Sequence, residues 1–305
     1  MEAGNIWFWP FEEEFIVWLQ HLGEGTFLQS VLLVLGNFFS FLGEETICIA
    51  VMGFLYWGIN KEKGERIGAS IMFANLSIGL LKNIFTRLRP WATSERINLL
   101  RNVDGYSFPS GHSANSTALY PTVAYEYKKS KILRWIAVCV PLLVGVSRCY
   151  VGAHWPTDVL VGWCVGLIVF IGTEIILHKI RNKYVFYLIV AAISGVGFYY
   201  CRTNDYYNSI GMLIGFILAI RFEEKKVRFE NTKNIWIALL RTVIGGALYF
   251  AISAVLKLLI GNIFPEGTTG YLLMRSLRYG MIVFLLVGVY PMAFRLEKKF
   301  LKARK

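Results

Sequence analysis

The sequence predicts an all-α, polytopic membrane protein. Of its 305 residues, 55% are hydrophobic, and the mean hydropathy is +0.49. Only 17% are charged, whereas soluble domains contain about 25%. The apolar residues form blocks of membrane-spanning length, for example "VLVGWCVGLIVFIGTEIIL" at 159–177. This composition excludes an ordinary soluble domain and an intrinsically disordered chain.

Polar breaks divide the apolar sequence into ten segments that we expect to be helices. Before them, residues 5–22 contain three tryptophans and a run of glutamates at 12–14, which is typical of an amphipathic helix in the membrane interface. The predicted domains are an interfacial segment (1–26), a six-helix core (27–183) and a four-helix transmembrane extension with a basic cytoplasmic tail (184–305). The ten predicted helices are 27–42, 45–60, 66–83, 112–127, 132–149, 157–178, 184–201, 208–221, 235–261 and 275–295.

The distribution of basic residues predicts the orientation of the chain. Loops on one side of the predicted membrane, together with the C-terminal tail, carry 21 of the 32 Lys and Arg residues. Since cytoplasmic loops are rich in Lys and Arg, we expect an integral, multi-pass cell-membrane protein with both termini in the cytoplasm. The net charge of +12 therefore reflects orientation. No basic stripe interleaved with base-stacking aromatics is present, so we expect the lipid bilayer and not nucleic acid as the partner.

The longest loop on the opposite side, 84–111, retains four arginines where the orientation rule disfavours them. Such charges need a local partner, and an anion is the simplest one. One of the four belongs to a motif described next. The other three, Arg87, Arg96 and Arg101, are interpreted as solvated loop charges, with contact to the substrate as the alternative.

Three motifs lie at helix ends on this same side. They read Lys82-x6-Arg89-Pro90, Pro109-Ser110-Gly111-His112 and Ser147-Arg148-x5-His154-x3-Asp158. Together they suit an oxyanion with three or more oxygens, because lysine supplies a point charge and arginine a planar fork. The glycine-containing turn before an apolar segment leaves backbone N–H groups at a helix start free to face such an anion.

The remaining groups of the motifs suit nucleophilic and acid–base chemistry. His154 and Asp158 are four residues apart, so the carboxylate can hold one imidazole nitrogen and leave the other as a nucleophile or base. His112 is then available as the proton donor to a leaving oxygen. The three cations would stabilise the developing charge and repel a divalent ion, so a zinc site is a poor interpretation. We therefore predict neither a metal nor another cofactor.

In these three motifs the chain resembles the type 2 phosphatidic acid phosphatase superfamily, the lipid phosphate phosphatases. All eleven specified positions of the family's tripartite signature are present in order. The motifs span residues 82–158, and the family core would cover about 27–178. The resemblance implies a six-helix bundle with its site at the non-cytoplasmic edge. Residues 184–296 lie outside the motifs.

The resemblance also implies a role for each matching residue. His154 corresponds to the nucleophile that forms a phosphohistidine, and Asp158 to the residue that orients it. His112 corresponds to the acid that protonates the departing alcohol. The phosphate-binding residues that it implies are Lys82, Arg89, Ser110, Gly111 and Arg148.

The expected reaction is metal-independent hydrolysis of the terminal phosphate or pyrophosphate of a membrane lipid. A lipid is expected because the site opens at the level of the headgroups, so a tail can stay in the bilayer. Two alternatives use the same residues: a lipid phosphotransferase, which passes phosphate to another acceptor, and a phosphatase of soluble sugar phosphates. An alternative of another class is a lipid transporter or scaffold whose working part is the extension.

Overall fold

The computed structural model describes residues 4–261 and 263–295, which are mainly helical and contain no β-strand. Each of the ten predicted segments is helical, so the all-α fold class is confirmed. The predicted basic tail beyond Arg295 lies outside the described residues. In chain order the helices are α1 (Pro10–His21), α2 (Phe27–Leu42), α3 (Glu45–Gly53), α4 (Lys61–Phe85), α5 (Pro90–Thr93), α6 (Gly111–Glu126), α7 (Lys131–Tyr150), α8 (Pro156–Lys179), α9 (Lys183–Gly195), α10 (Gly197–Tyr200), α11 (Asn204–Phe222), α12 (Ile235–Ile260) and α13 (Thr269–Val283). Wider π-helical turns continue α3, α11 and α13 as Phe54–Ile59, Glu223–Val227 and Phe284–Val289.

Within the described ranges, six helical stretches are long and apolar enough to cross a membrane by themselves. Helix α2 meets the same criterion only together with Glu45–Ile59, from which it is bent by 51°. Helix α6 has 16 residues, which at about 1.5 Å per residue is shorter than the hydrocarbon core of about 30 Å. The chain is therefore an integral, polytopic membrane protein. The six stretches are Lys61–Phe85, Lys131–Tyr150, Pro156–Lys179, Lys183–Tyr200, Ile235–Ile260 and Thr269–Arg295.

Local signals in the sequence set where the helices begin. The side chains of Ser130 and Asn234 cap α7 and α12 by accepting hydrogen bonds from first-turn N–H groups. Helices α1 and α8 begin instead at Pro10 and Pro156, because the N–H that proline lacks has no partner at the first helical position. Helix α1 therefore starts later than the predicted residue 5.

The described residues form two compact units. The first consists of the described parts of Met1–Cys48 and Phe73–Ile175, and the second of those of Ile49–Met72 and Ile176–Lys305. Both units are discontinuous in sequence. The predicted division of the chain at residues 26 and 183 is not tested by these units and stays a prediction.

In the first unit, α1 is docked on the segment that joins α7 to α8. Ile16 and Leu19 of α1 are buried in one apolar cluster with Trp155 and Val159. The opposite face of the α1 segment leaves aromatic side chains exposed, among them Trp9, Phe11 and Trp18. Such a face suits the predicted interfacial position of this segment.

In the second unit, α11 and α13 approach each other through small residues. A Cβ on Gly211 would lie 2.0 Å from the carbonyl oxygen of Ser276, and one on Gly215 would lie 2.2 Å from that of Gly280. The two backbones are thus in direct contact. Small residues four apart on facing helices are typical of helix pairs that associate within a membrane.

Candidate active site

A tight turn between α7 and α8 carries His154. Gly152 adopts a left-handed φ of +73°, and a Cβ there would lie 2.3 Å from the carbonyl oxygen of Asn98, so the position fits glycine. Beyond it, the N–H groups of Ala153 and His154 both donate to the carbonyl oxygen of Arg148, at 3.1 and 3.2 Å. The backbone of His154 is therefore fixed to the last turn of α7.

The imidazole of His154 lies between a carboxylate and a guanidinium and is only 2% exposed. Its Nδ1 lies 3.4 Å from Oδ2 of Asp158, and its Nε2 lies 3.4 Å from Nη1 of Arg89. Since a guanidinium only donates, this arrangement assigns the proton to Nδ1 and an unprotonated lone pair to Nε2. Burial, followed by the charges of Arg89 and Arg148, lowers the pKa of His154 well below its ordinary value, so the ring is neutral at neutral pH.

Three cations surround His154. Arg148 is 1% exposed, and its Nη1 donates to the hydroxyl of Ser40, while its Nε has no hydrogen-bond partner among the described residues. Lys82 and Arg89 are also buried, and both act on the charge of His154. Buried cations at such density are costly unless an anion joins them. The arrangement therefore suits a bound oxyanion.

Backbone carbonyls hold the guanidinium of Arg89 in place. Its Nη2 donates to the carbonyl oxygen of Asp104 at 2.6 Å, its Nε to that of Gly105 at 2.9 Å, and its Nη1 to that of Ala153 at 2.9 Å. Carbonyl acceptors orient the group and leave its full charge in place. Arg89 is thus preorganised for an anion next to His154.

The first turn of α6 lies beside the same cations. Ser110 caps the helix, because its Oγ accepts from the N–H of Ser113 at 3.3 Å, and its own N–H donates to the carbonyl oxygen of Asp158 at 2.9 Å. The N–H groups of Gly111 and His112, at the first two helical positions, have no acceptor within the helix. They form a helix N-terminus of the kind that binds phosphate. Burial, followed by the charges of Arg148 and Arg101, lowers the pKa of His112 well below its ordinary value, so its ring carries a proton only while a bound oxyanion offsets these cations.

The structure brings all the predicted site residues together at one end of the first unit. Lys82 lies in the last turn of α4 and His112 in the first turn of α6. Arg148 lies in the last turn of α7 and Asp158 in the first turn of α8. Helix ends that alternate in this way along an up-and-down bundle meet at the same side of a membrane. The predicted residues thus lie around the imidazole of His154, with Asp158 at Nδ1 and Arg89 at Nε2. Their individual roles are proposals, given below.

One residue in contact with Asp158 was interpreted wrongly from the sequence. Arg87 is not solvated but fully buried, and it donates to Oδ1 of Asp158 at 2.6 Å and to Oε2 of Glu12 at 2.9 Å. Arg96 and Arg101 are partly exposed and pair with glutamates. Two features of the sequence could have indicated that Arg87 is buried in an ion pair. They are its position on the side where arginine is disfavoured and the acidic run near the N-terminus.

The fold and the site define an all-helical membrane protein in which buried cations surround a histidine. Residues 65–183 match the family model of the PAP2 superfamily. Residues 207–300 match a second model, described as PAP2 superfamily phosphatase, transmembrane extension. The chain belongs to the PAP2 superfamily and is a phosphatase, which confirms the resemblance carried by the three motifs.

Two curated proteins are similar to part of this chain. It is 30% identical over 169 residues to phosphatidylglycerophosphatase B of Bacillus subtilis, an alignment that covers 53% of this chain and 73% of that protein. It is 31% identical over 149 residues to lipid A 4'-phosphatase of Porphyromonas gingivalis, covering 44% of this chain and 62% of that protein. The chain thus spans less than two thirds of the second relative. Among solved structures, Aquifex aeolicus LpxE superposes with a TM-score of 0.46 at 26% identity, covering 52% of this chain and 93% of that one.

A close contact between α6 and α8 gives a first testable expectation. A Cβ on Gly162 of α8 would lie 2.5 Å from the carbonyl oxygen of Ser110 and 2.9 Å from Cβ of Ser113, so Gly162→Ala must displace the start of α6. Since a shift of about 1 Å in a site can reduce the rate by about 100-fold, we expect phosphate release to fall by about 10-fold or more. The measurement is kcat/KM together with the melting temperature.

The same helix offers a matched control for this substitution. A Cβ on Gly172 would meet nothing within 4 Å, so Gly172→Ala should keep wild-type activity and gain about 0.5–1 kcal/mol from helix propensity. Equal behaviour of the two variants would show that the contact between Gly162 and Ser110 does not position the site.

Proposed function

We propose that this phosphatase hydrolyses the terminal phosphate of a membrane lipid, without a metal, through a phosphohistidine at His154. The observation that carries the proposal is the state of the imidazole. Nδ1 faces Asp158, and the neutral Nε2 faces the guanidinium of Arg89. A neutral nitrogen directed at an oxyanion site is what a nucleophile toward phosphorus requires.

The reaction consists of two balanced steps. In the first, the lone pair on Nε2 of His154 attacks phosphorus, the bond from phosphorus to the lipid oxygen breaks, and His112 gives its proton to that oxygen. In the second, His112 takes a proton from water, the resulting hydroxide attacks the phosphohistidine, and phosphate leaves while Nε2 recovers its lone pair. The charge that develops on the phosphoryl oxygens is offset by Lys82, Arg89 and Arg148 and by the N–H groups at the start of α6.

Position favours a lipid substrate. The site lies at the ends of helices long enough to span a bilayer, so a phosphate at the headgroup level reaches the cations while the tails remain in the membrane. Both curated relatives described above are named for phosphates of lipids. The distribution of Lys and Arg further supports a site on the non-cytoplasmic face. The predicted cytoplasmic N-terminus does not agree with that site, because Glu12 contacts Arg87 beside Asp158 and the N-terminal segment therefore lies on the same face as the site.

The proposal is tested by phosphate release from detergent-purified protein in the presence of EDTA. The substrates are phosphatidic acid, phosphatidylglycerol phosphate, a polyprenyl pyrophosphate, a sphingoid phosphate and, as the soluble comparison, glucose 6-phosphate. We expect release from at least one lipid at a kcat/KM well above that for glucose 6-phosphate, with the same rate when Mg²⁺ replaces EDTA. Release that depends on added metal would contradict the mechanism.

The other outcomes separate the alternatives. Preference for glucose 6-phosphate would indicate a sugar-phosphate phosphatase. Consumption of lipid phosphate without free phosphate, but with a phosphorylated added alcohol, would indicate a phosphotransferase. Absence of turnover on all five substrates would overturn the proposed lipid hydrolysis and favour a transporter or scaffold.

A further inference from the structure

The first unit contains a buried chain of alternating charges that runs from α1 to His154. Glu12, Arg87 and Asp158 are each fully buried. Arg87 donates from Nη1 to Oδ1 of Asp158 at 2.6 Å and from Nη2 to Oε2 of Glu12 at 2.9 Å. The second carboxylate oxygen of Asp158 accepts from the N–H of Trp155 at 2.8 Å and lies 3.4 Å from Nδ1 of His154. Each oxygen of Asp158 thus has its own fixed partners.

The outer part of this chain is saturated with hydrogen bonds. Oε1 of Glu12 accepts from both the N–H and the hydroxyl of Thr157, at 3.0 and 2.6 Å, and its Oε2 also accepts from the N–H of Trp9 at 3.0 Å. Arg87 donates from Nη1 to the Thr157 hydroxyl at 2.7 Å and from Nε to the carbonyl oxygen of Trp7 at 2.8 Å. The indole of Trp7 covers the guanidinium, with 3.9 Å between Cζ and the ring centroid. Arg87 and Glu12 therefore have one well-defined geometry.

Stability alone does not explain these buried charges. Apolar packing of similar volume is often at least as stabilising as a buried ion pair, because burial removes the ions from water. Apolar contacts already attach this segment to the unit, since Ile16 and Leu19 are buried and Phe8 stacks on Trp155 with centroids 4.4 Å apart. What the ion chain adds is orientation of a carboxylate.

Charge balance explains why the chain has three members. The imidazole of His154 needs a negatively charged carboxylate beside Nδ1. If Asp158 were the only partner of the Arg87 guanidinium, that guanidinium would offset most of the charge of Asp158. Glu12 shares the guanidinium of Arg87, so Asp158 is held rigidly and keeps part of its charge for His154. This arrangement is expected of groups that orient a reacting residue through the side chain that contacts it.

We propose that Glu12 and Arg87 are positioning residues that hold Asp158 so that it fixes the Nδ1–H tautomer of His154. The N-terminal segment then belongs to the catalytic machinery as well as to the membrane interface. The kinetic consequence rests on the function proposed above, whereas the tautomer is a property of the resting protein.

The kinetic test compares two glutamates of α1. Glu12→Gln preserves the shape of the side chain and removes its charge, and we expect kcat to fall by about 10- to 100-fold with KM changed by no more than about twofold. Glu12→Asp, which keeps the charge, should lie closer to the wild type. The control is Glu14→Gln, because Glu14 is 63% exposed and pairs with Arg96 at the surface. It should match the wild type in both constants.

The second measurement does not depend on turnover. Nitrogen-15 NMR of the protein labelled at its four histidines, assigned with His154→Ala, reports which ring nitrogen of His154 carries the proton. We expect a pure Nδ1–H tautomer in the wild type and in Glu14→Gln, and a mixture of tautomers in Glu12→Gln. If Glu12→Gln does not fold, Thr157→Val replaces it, because that change removes a hydroxyl that contacts both Glu12 and Arg87.

The outcomes distinguish the two proposals. A wild type that releases no phosphate overturns the proposed function, while the change of tautomer in Glu12→Gln still supports the positioning role. Normal kcat in Glu12→Gln overturns the positioning role. An unchanged tautomer also overturns it, even if activity falls, because the loss of activity would then not act through the tautomer of His154.

Discussion

Replacement of His154 by alanine is expected to reduce phosphate release by about 1,000-fold or more on every substrate that the wild type hydrolyses. The reason is geometric as well as chemical. The Nε2 atom lies next to the guanidinium of Arg89, and the lowered pKa of His154 keeps its lone pair available at neutral pH. Water that enters in place of the imidazole would lack both the nucleophilicity and the fixed position. The measurement is kcat/KM for the variant and the wild type in the same detergent.

A second histidine serves as the matched control for this substitution. His21 is half exposed, and its Nδ1 lies 2.7 Å from the carbonyl oxygen of Val17 in its own helix. His21→Ala should therefore retain wild-type activity.

A labelling experiment detects the intermediate itself. When the reaction with substrate labelled in its phosphate is quenched rapidly, the wild type should carry label that is stable to alkali and lost in acid, as a phosphoramidate is. His154→Ala should carry none. A variant that keeps more than about a tenth of the activity would contradict the phosphohistidine route.

The helices were predictable because membrane helices are encoded locally. A hydrophobic block of sufficient length needs no information from the rest of the chain, and all ten segments are helical in the structure. The number of helices that cross the whole membrane was harder to predict from the sequence. Helix α2 is bent by 51° from Glu45–Ile59, and α6 contains only 16 residues. Bends and short helices depend on packing between helices, which the length of an apolar block does not specify.

The site was predictable to the extent that its residues lie in short motifs at helix ends. Lys82, His112, Arg148 and Asp158 meet because consecutive helices run in opposite directions. Glu12 contacts Arg87 across a sequence separation of 75 residues, and a run of three glutamates is ordinarily a solvated face. No periodicity or spacing connects the two residues. Apart from the acidic run itself, only the position of Arg87 on the disfavoured side indicated that it needed a partner.

The other large effect is expected for His112→Ala, and it should depend on the leaving group. With a lipid phosphate the departing alkoxide is a strong base, so loss of the proton donor should lower the rate by about 100- to 1,000-fold. With 4-nitrophenyl phosphate the departing phenolate needs no proton, and the attack of His154 on phosphorus should proceed almost as in the wild type. His112 is suited to this discrimination, since it lies in the first turn of α6 and is only partly buried.

The second step makes the expectation sharper. Release of phosphate from His154 requires a base to activate water, and in this mechanism His112 supplies it. His112→Ala should thus release a burst of about one nitrophenolate per enzyme and then turn over slowly, while the phosphohistidine accumulates. Rapid mixing measures the burst, and the alkali-stable label measures the intermediate. The same variant should show no burst with a lipid phosphate, because there the first step is already slow.

The pattern of rates distinguishes this role from binding of phosphate. If His112 served only as another cation in the cradle, its removal would slow the first step for both substrates to a similar degree, and no intermediate would accumulate. Arg148→Met is the comparison for that case, because Arg148 is buried in the cradle beside His154 and lacks a transferable proton at neutral pH. It should lower the rate with both substrates and give no burst. A burst in His112→Ala together with its absence in Arg148→Met would assign proton transfer to His112 and charge stabilisation to Arg148.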